Sequence, residues 1–151
     1  MLLQFMVGGG VSVCNIAIHA LMMTTIIRTA RAMAAKKTFH PSLLLTSVMT
    51  STAAVLMITH TLEVIVWSVA YSFVDVSPPG TDLVYFAFVN YTTLGYGDII
   101  PKDRWQLLGP ITAMNGVLLF GWSTAVIFEV LRRAMTISFP VLDIGREADD
   151  R

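Results

Sequence analysis

Three stretches of this chain are apolar and long enough to cross a bilayer, and a polar loop that is neither separates the second from the third. A spanning helix needs about 20 predominantly apolar residues. The first stretch covers residues 1 to about 27, the second about 43–74 and the third about 105–131. Of the 151 residues 55% are hydrophobic and 13% charged. Soluble domains carry about 25% charged residues. So few charges cannot cover a water-facing surface, and lipid is the natural solvent. The length fits one domain. The formal net charge is zero, and with no basic stripe the chain has no footprint for nucleic acid. The single cysteine, Cys14, lies in an apolar run and can form no internal disulfide.

No basic residue precedes the first apolar run, and no small-residue cleavage site follows it at signal-peptide distance, so it reads as a retained span. Gly8 to Gly10 weaken the helix near its start. At 1.5 Å per residue the second stretch measures roughly 48 Å against a hydrocarbon core of ~30 Å. It must tilt or project beyond the membrane. Arg28, Arg31, Lys36 and Lys37 crowd the connection between the first and second spans, and Arg132 and Arg133 close the third. By the positive-inside rule both places are cytoplasmic. The N-terminus is then outside, the C-terminus cytoplasmic, and the loop between the second and third spans extracytoplasmic. Arg28 and Arg31 are three apart, as in a voltage sensor, but the positive-inside signal accounts for both.

The segment between the second and third spans reads "SPPGTDLVYFAFVNYTTLGYGDIIP". Pro78, Pro79 and Gly80 are expected to break the second helix. Thr81 or Asp82 can cap a new one. Residues 83–91 are apolar and aromatic but too short to span, which suggests a re-entrant half-helix. Irregular backbone at membrane depth is tolerated only where protein buries it or where it lines a watery path. The glycines of "TTLGYGD", residues 92–98, open conformations closed to other residues, so successive carbonyls can aim one way. A row of carbonyl oxygens is a neutral, strong ligand set for a weakly hydrated cation, and the C-terminal dipole of the short helix favours a cation there.

"TTLGYGD" resembles the selectivity filter of potassium channels. The resemblance covers outer helix, pore helix, filter and inner helix over about residues 43–133, and the whole is similar to small prokaryotic potassium channels with an extra N-terminal helix. It implies an all-α transmembrane fold: three spanning helices plus a pore helix and filter loop. It divides the chain into residues 1–40 (N-terminal helix and basic loop), 41–133 (pore domain) and 134–151 (cytoplasmic tail). It implies potassium bound by the carbonyls of Thr93, Leu94, Gly95 and Tyr96 and the Thr93 hydroxyl, with Gly97 completing the set. Thr92 and Asp98 support the filter. Tyr85 stands where the family often has a tryptophan, within reach of Asp98, and Val89 where it often has an acid. Leu94 replaces the more usual valine or isoleucine. One loop per chain implies a homotetramer in the cell membrane, bacterial by this resemblance, with potassium and lipid as partners and no other cofactor.

The third stretch would line the inner pore. Gly116 and Gly121 serve either as hinges or as sites of close helix packing. Alignment on Trp105 puts Leu118, Ala125, Val126 and Glu129 on the pore face, Val126 as a constriction and Glu129 as a ring of acids. Glu129 can instead pair with Arg132 or Arg133 at i+3 or i+4. Asn115 either lines the cavity or bonds between helices. His60 and Glu63, three apart, are candidate pH-sensing groups, or satisfy each other or Asn15 and His19. Asn90 opens a glycosylation sequence but is expected beside the filter, out of reach. No nucleophile triad, metal-ligand cluster or phosphate loop stands out, so an enzyme is not expected. A non-conducting membrane scaffold, or the membrane subunit of a potassium uptake system, are the rival functions.

Overall fold

The computed structural model describes residues 1–34 and 41–138. Lys36, Lys37, the side chain of Arg31 and residues 139–151 lie outside the described residues. Helix α1 spans Leu2–Ala34, α2 Pro41–Val74, α3 Leu83–Tyr91 and α4 Leu108–Ser138, with a short 3-10 turn at Asp103–Trp105 before α4. No strand occurs among the described residues. Three segments, Leu2–Thr29, Ser42–Val74 and Asp103–Thr136, are long and apolar enough to cross a membrane. The chain is an all-α, multi-pass membrane protein.

The described chain forms two compact units. The first combines Met1–Ala20 with Ile58–Trp122. Its core gathers Val64, Trp67, Tyr71, Phe86, Tyr91, Trp105, Leu108 and Ile111. Trp67, Tyr71 and Tyr91 are fully buried. Between helices in lipid, close packing and polar contacts rather than water exclusion hold such a core. Accordingly, the Tyr71 hydroxyl lies 2.6 Å from Thr112 Oγ1. The Trp67 indole donates to Asn115 Oδ1 at 3.0 Å, and Asn15 Nδ2 donates to the same oxygen at 3.2 Å. Asn115 therefore bonds between helices.

The glycine run does not interrupt α1. Gly8 lies inside the helix, at a point of close approach: a Cβ added there would stand 2.8 Å from the Ile111 side chain. Nearby, the buried side chain of Gln4 accepts from the Leu107 backbone N–H at 2.8 Å. That satisfies a donor at the start of α4 that has no partner in its own helix.

Helix α2 stops earlier than its prolines require. Asp75 takes φ +53°, Val76 N–H reaches Tyr71 O at 3.2 Å and Asp75 N–H reaches Ser72 O at 3.3 Å. This paired pattern is a Schellman ending, with aspartate in the position glycine usually holds. Lys102 then ties the far side of the loop back, its N–H to Val76 O at 2.8 Å and its ammonium to the Asp75 carboxylate. The ammonium's hydrogen bond holds the exposed Asp75 carboxyl below the usual carboxylate range.

The second unit combines Leu21–Met57 with the chain from Ser123 onward. Its core contains Met23, Ile26, Leu44, Val48, Leu56, Val126, Val130 and Ala134.

Candidate functional site

Asp82 fixes where α3 begins. Its carboxylate accepts from the backbone N–H of Val84 and Tyr85, each at 3.0 Å, the usual N-cap arrangement. Thr81 instead bonds Pro78 O. At the other end the loop folds back onto the helix. Thr93 N–H donates to Asn90 O at 3.0 Å, and the N–H groups of Leu94 and Gly95 both donate to Val89 O, at 2.9 and 3.3 Å.

That shared acceptor sets the direction of the loop's carbonyls. In a trans peptide the C=O points opposite to the N–H, and no peptide among the described residues is cis. With Leu94 and Gly95 N–H turned toward α3, the carbonyls of Thr93 and Leu94 point away from it. The backbone alternates in hand: φ is +62° at Thr93, +58° at Gly95 and +76° at Gly97, and not positive at Leu94 or Tyr96. Such alternation turns successive peptide groups toward one side. Gly95 and Gly97 take this geometry without strain; Thr93 is a side-chain-bearing residue held there by its neighbours. Residues 92–98 are all exposed in the single chain.

Two contacts brace the loop. Tyr85 Oη donates to Asp98 Oδ2 at 2.7 Å. Thr92 Oγ1 donates to Phe88 O at 2.7 Å. Behind the loop, the Tyr91 backbone carbonyl presses on Gly116 so closely that a Cβ there would collide with it. This assigns Gly116 to close packing, whereas Gly121 has open space around its Cβ position. Asn90 Nδ2 donates to Phe86 O, and its amide lies against Gly109.

On α4, Leu118 and Gly121 of the first unit and Ala125 of the second are exposed. Val126 is not. It is 7% exposed, inside the core of the second unit. The sequence suggests Val126 for the pore face; in the single chain it packs in this core, while Ala125, about 100° away around the helix, is exposed. Val126 belongs to the buried row Ser123, Val126, Val130 and Ala134. Glu129 pairs with both arginines below it. Arg132 reaches its carboxylate from Nε at 2.9 Å and Nη2 at 3.1 Å, and Arg133 Nε contacts Oε1.

His60 and Glu63 meet His19, one of the partners the sequence offered, and Tyr91, which it did not. Glu63 Oε1 lies 2.8 Å from His19 Nδ1, and Oε2 lies 2.9 Å from His60 Nδ1. Tyr91 Oη donates to Oε2 at 2.5 Å. The carboxylate thus joins α1, α2 and the last residue of α3. The only sequence signal was the trio of ionisable side chains within apolar helices.

A family model described as an ion channel matches residues 43–133, more than half of the chain. Comparison with curated proteins and with solved structures gave no match. The match begins near the start of α2 and ends in α4, enclosing the short helix and its carbonyl-presenting loop; the chain belongs to this ion channel family.

Proposed function

We propose that the chain is one subunit of a homotetrameric channel that passes potassium passively and selectively. The observation that carries this reading is the loop after α3, where Val89 O holds two consecutive N–H groups and turns the Thr93 and Leu94 carbonyls outward. Each chain supplies one such loop, and closed rings of identical subunits are the common solution for assembling several. Four loops would surround an axis with the carbonyls of Thr93, Leu94, Gly95 and Tyr96, the Thr93 hydroxyl and the Gly97 backbone. Those oxygens would replace the water shell of a potassium ion. The ion is cargo, and its site needs no charged side chain. Leu118, Gly121 and Ala125 are exposed on α4 and would line the path below. With basic residues at one end of each span, the N-terminus would lie outside and the C-terminus in the cytoplasm.

The test is cation flux from liposomes holding the purified protein, potassium against sodium, with Gly95→Ala as control. An alanine at φ +58° strains the loop. Potassium flux well above sodium, lost in the variant, supports the reading. Equal flux of both ions removes selectivity. No flux from well-formed tetramers favours a non-conducting scaffold.

A further inference from the structure

The cluster beside the loop has a chemistry that conduction does not use. His19 of α1 and His60 and Glu63 of α2 place ligand atoms within 4.8 Å of one another. Tyr91 Oη joins them, 2.5 Å from Glu63 Oε2 and 2.9 Å from His60 Nδ1. Four nitrogen and oxygen atoms from three helices crowd one small volume. Neighbouring ligands on a tetrahedral zinc ion, with bonds of about 2.0–2.1 Å, stand about 3.3 Å apart. The contacting pairs seen here, at 2.5 to 2.9 Å, would open by about 0.4 to 0.8 Å, and no two ligand atoms of His19, His60 and Glu63 stand farther apart than 4.8 Å.

Charge points the same way. Glu63 and His19 are fully buried, in segments long and apolar enough to span a membrane. The ion-pair partners of Glu63 among the described residues are the two histidines; no lysine or arginine pairs with it. A carboxylate at that depth is costly unless a positive charge accompanies it, either a proton on an imidazole or a bound cation. A divalent cation supplies that charge, and two imidazoles with a carboxylate form a common donor set for zinc.

We propose that His19, His60 and Glu63 bind a transition-metal dication of the zinc class, with the Tyr91 hydroxyl beside the fourth position. In the bound state each imidazole is neutral, presents its Nδ1 lone pair and carries its proton on Nε2, and the carboxylate is ionised; any displaced proton leaves to solvent. The His60 side chain, 14% exposed, forms the open edge for entry. A bound ion would fasten α1 and α2 to the end of α3, one residue before Thr92. Binding is independent of conduction; only an effect on flux rests on reading the loop as a filter.

The test is cobalt titration of the full chain, purified in detergent and stripped with a chelator. One Co2+ per chain is expected, with the visible absorption of a tetrahedral site, displaced by Zn2+. His19→Gln and His60→Gln should each weaken binding by at least about 10-fold. Because a buried variant can misfold, the wild type supplies a second measurement: Zn2+ should raise its unfolding temperature with concentration, and chelator should reverse the rise. No cobalt spectrum in the wild type, or an unchanged one in His60→Gln, would overturn the site and leave a proton as the neutralising charge. Potassium flux from the metal-free wild type, measured separately, tests the conduction reading alone. Zn2+ that slows this flux in wild type but not in His60→Gln would support the link from the cluster to the loop.

Discussion

The backbone carbonyl of Tyr91, the last residue of the short helix, occupies the space that a Cβ on Gly116 would need. Neither atom can move cheaply, since one is backbone and the other would be fixed to a helix. Gly116→Ala should therefore destabilise the protein by about 1–3 kcal/mol, the usual cost of overpacking, and displace the start of the loop. Gly121→Ala meets open space and should be neutral or slightly stabilising, because alanine is the better helix former by about 1 kcal/mol. Thermal unfolding of the two variants in detergent distinguishes these outcomes. A Gly116→Ala protein as stable as wild type, but altered in channel opening, would make Gly116 a hinge instead.

Tyr85→Phe removes one oxygen and with it the bond to Asp98. The ring can stay in place, so the fold should be unaffected while potassium-over-sodium selectivity falls. Wild type should also show a pH signature. Donating to Asp98 raises the Tyr85 hydroxyl above its ordinary value of 10.0. The neutral donor is therefore fully present below pH 10, and its contribution is lost as pH rises through the higher folded value. Wild-type selectivity should hold to about pH 10 and fall above it. The Tyr85→Phe variant should show no such fall from this cause. Flux ratios in liposomes across that range measure both effects.

Asp82 caps α3 through two backbone N–H groups. Asp82→Ala should cost about 1 kcal/mol of stability, and Asp82→Asn, which keeps an acceptor oxygen, much less. If the two variants unfold alike, charge at the helix end rather than capping is the source of the stabilisation.

The ends of α3 were legible because every determinant is local: a proline-glycine breaker, an aspartate cap, and an apolar run too short to span. Other features needed tertiary information. The glycines at positions 8–10 argue against helix by propensity, yet α1 runs through them, with Gly8 at a close approach to Ile111 that its own segment does not announce. The end of α2 depends on Asp75 adopting a positive φ, and aspartate announces that far less clearly than glycine. His60 and Glu63 were visible as an i, i+3 pair. His19, 44 residues before Glu63, was one of the partners the sequence offered for this pair, whereas Tyr91, 28 residues after it, was visible only as a member of another segment. The face of α4 near Val126 could not be chosen from its own pattern, since the helix is apolar nearly all round.

Val126 is the sharpest test of that last point. A pore constriction and a core position predict opposite responses to truncation. In the core of the second unit Val126 accompanies Met23, Ile26, Leu44, Val48 and Val130. Val126→Ala should remove two buried methyl groups and cost about 1–2 kcal/mol, lowering the unfolding temperature with little change in the ion flux of the remaining folded protein. Ala125 is exposed one residue earlier. Ala125→Val should leave stability near wild type while reducing flux, because the added bulk stands on the face proposed to line the path. Paired measurements of unfolding temperature and potassium flux decide the matter. A Val126→Ala protein of unchanged stability and raised flux would return Val126 to the pore and place the buried face of α4 elsewhere.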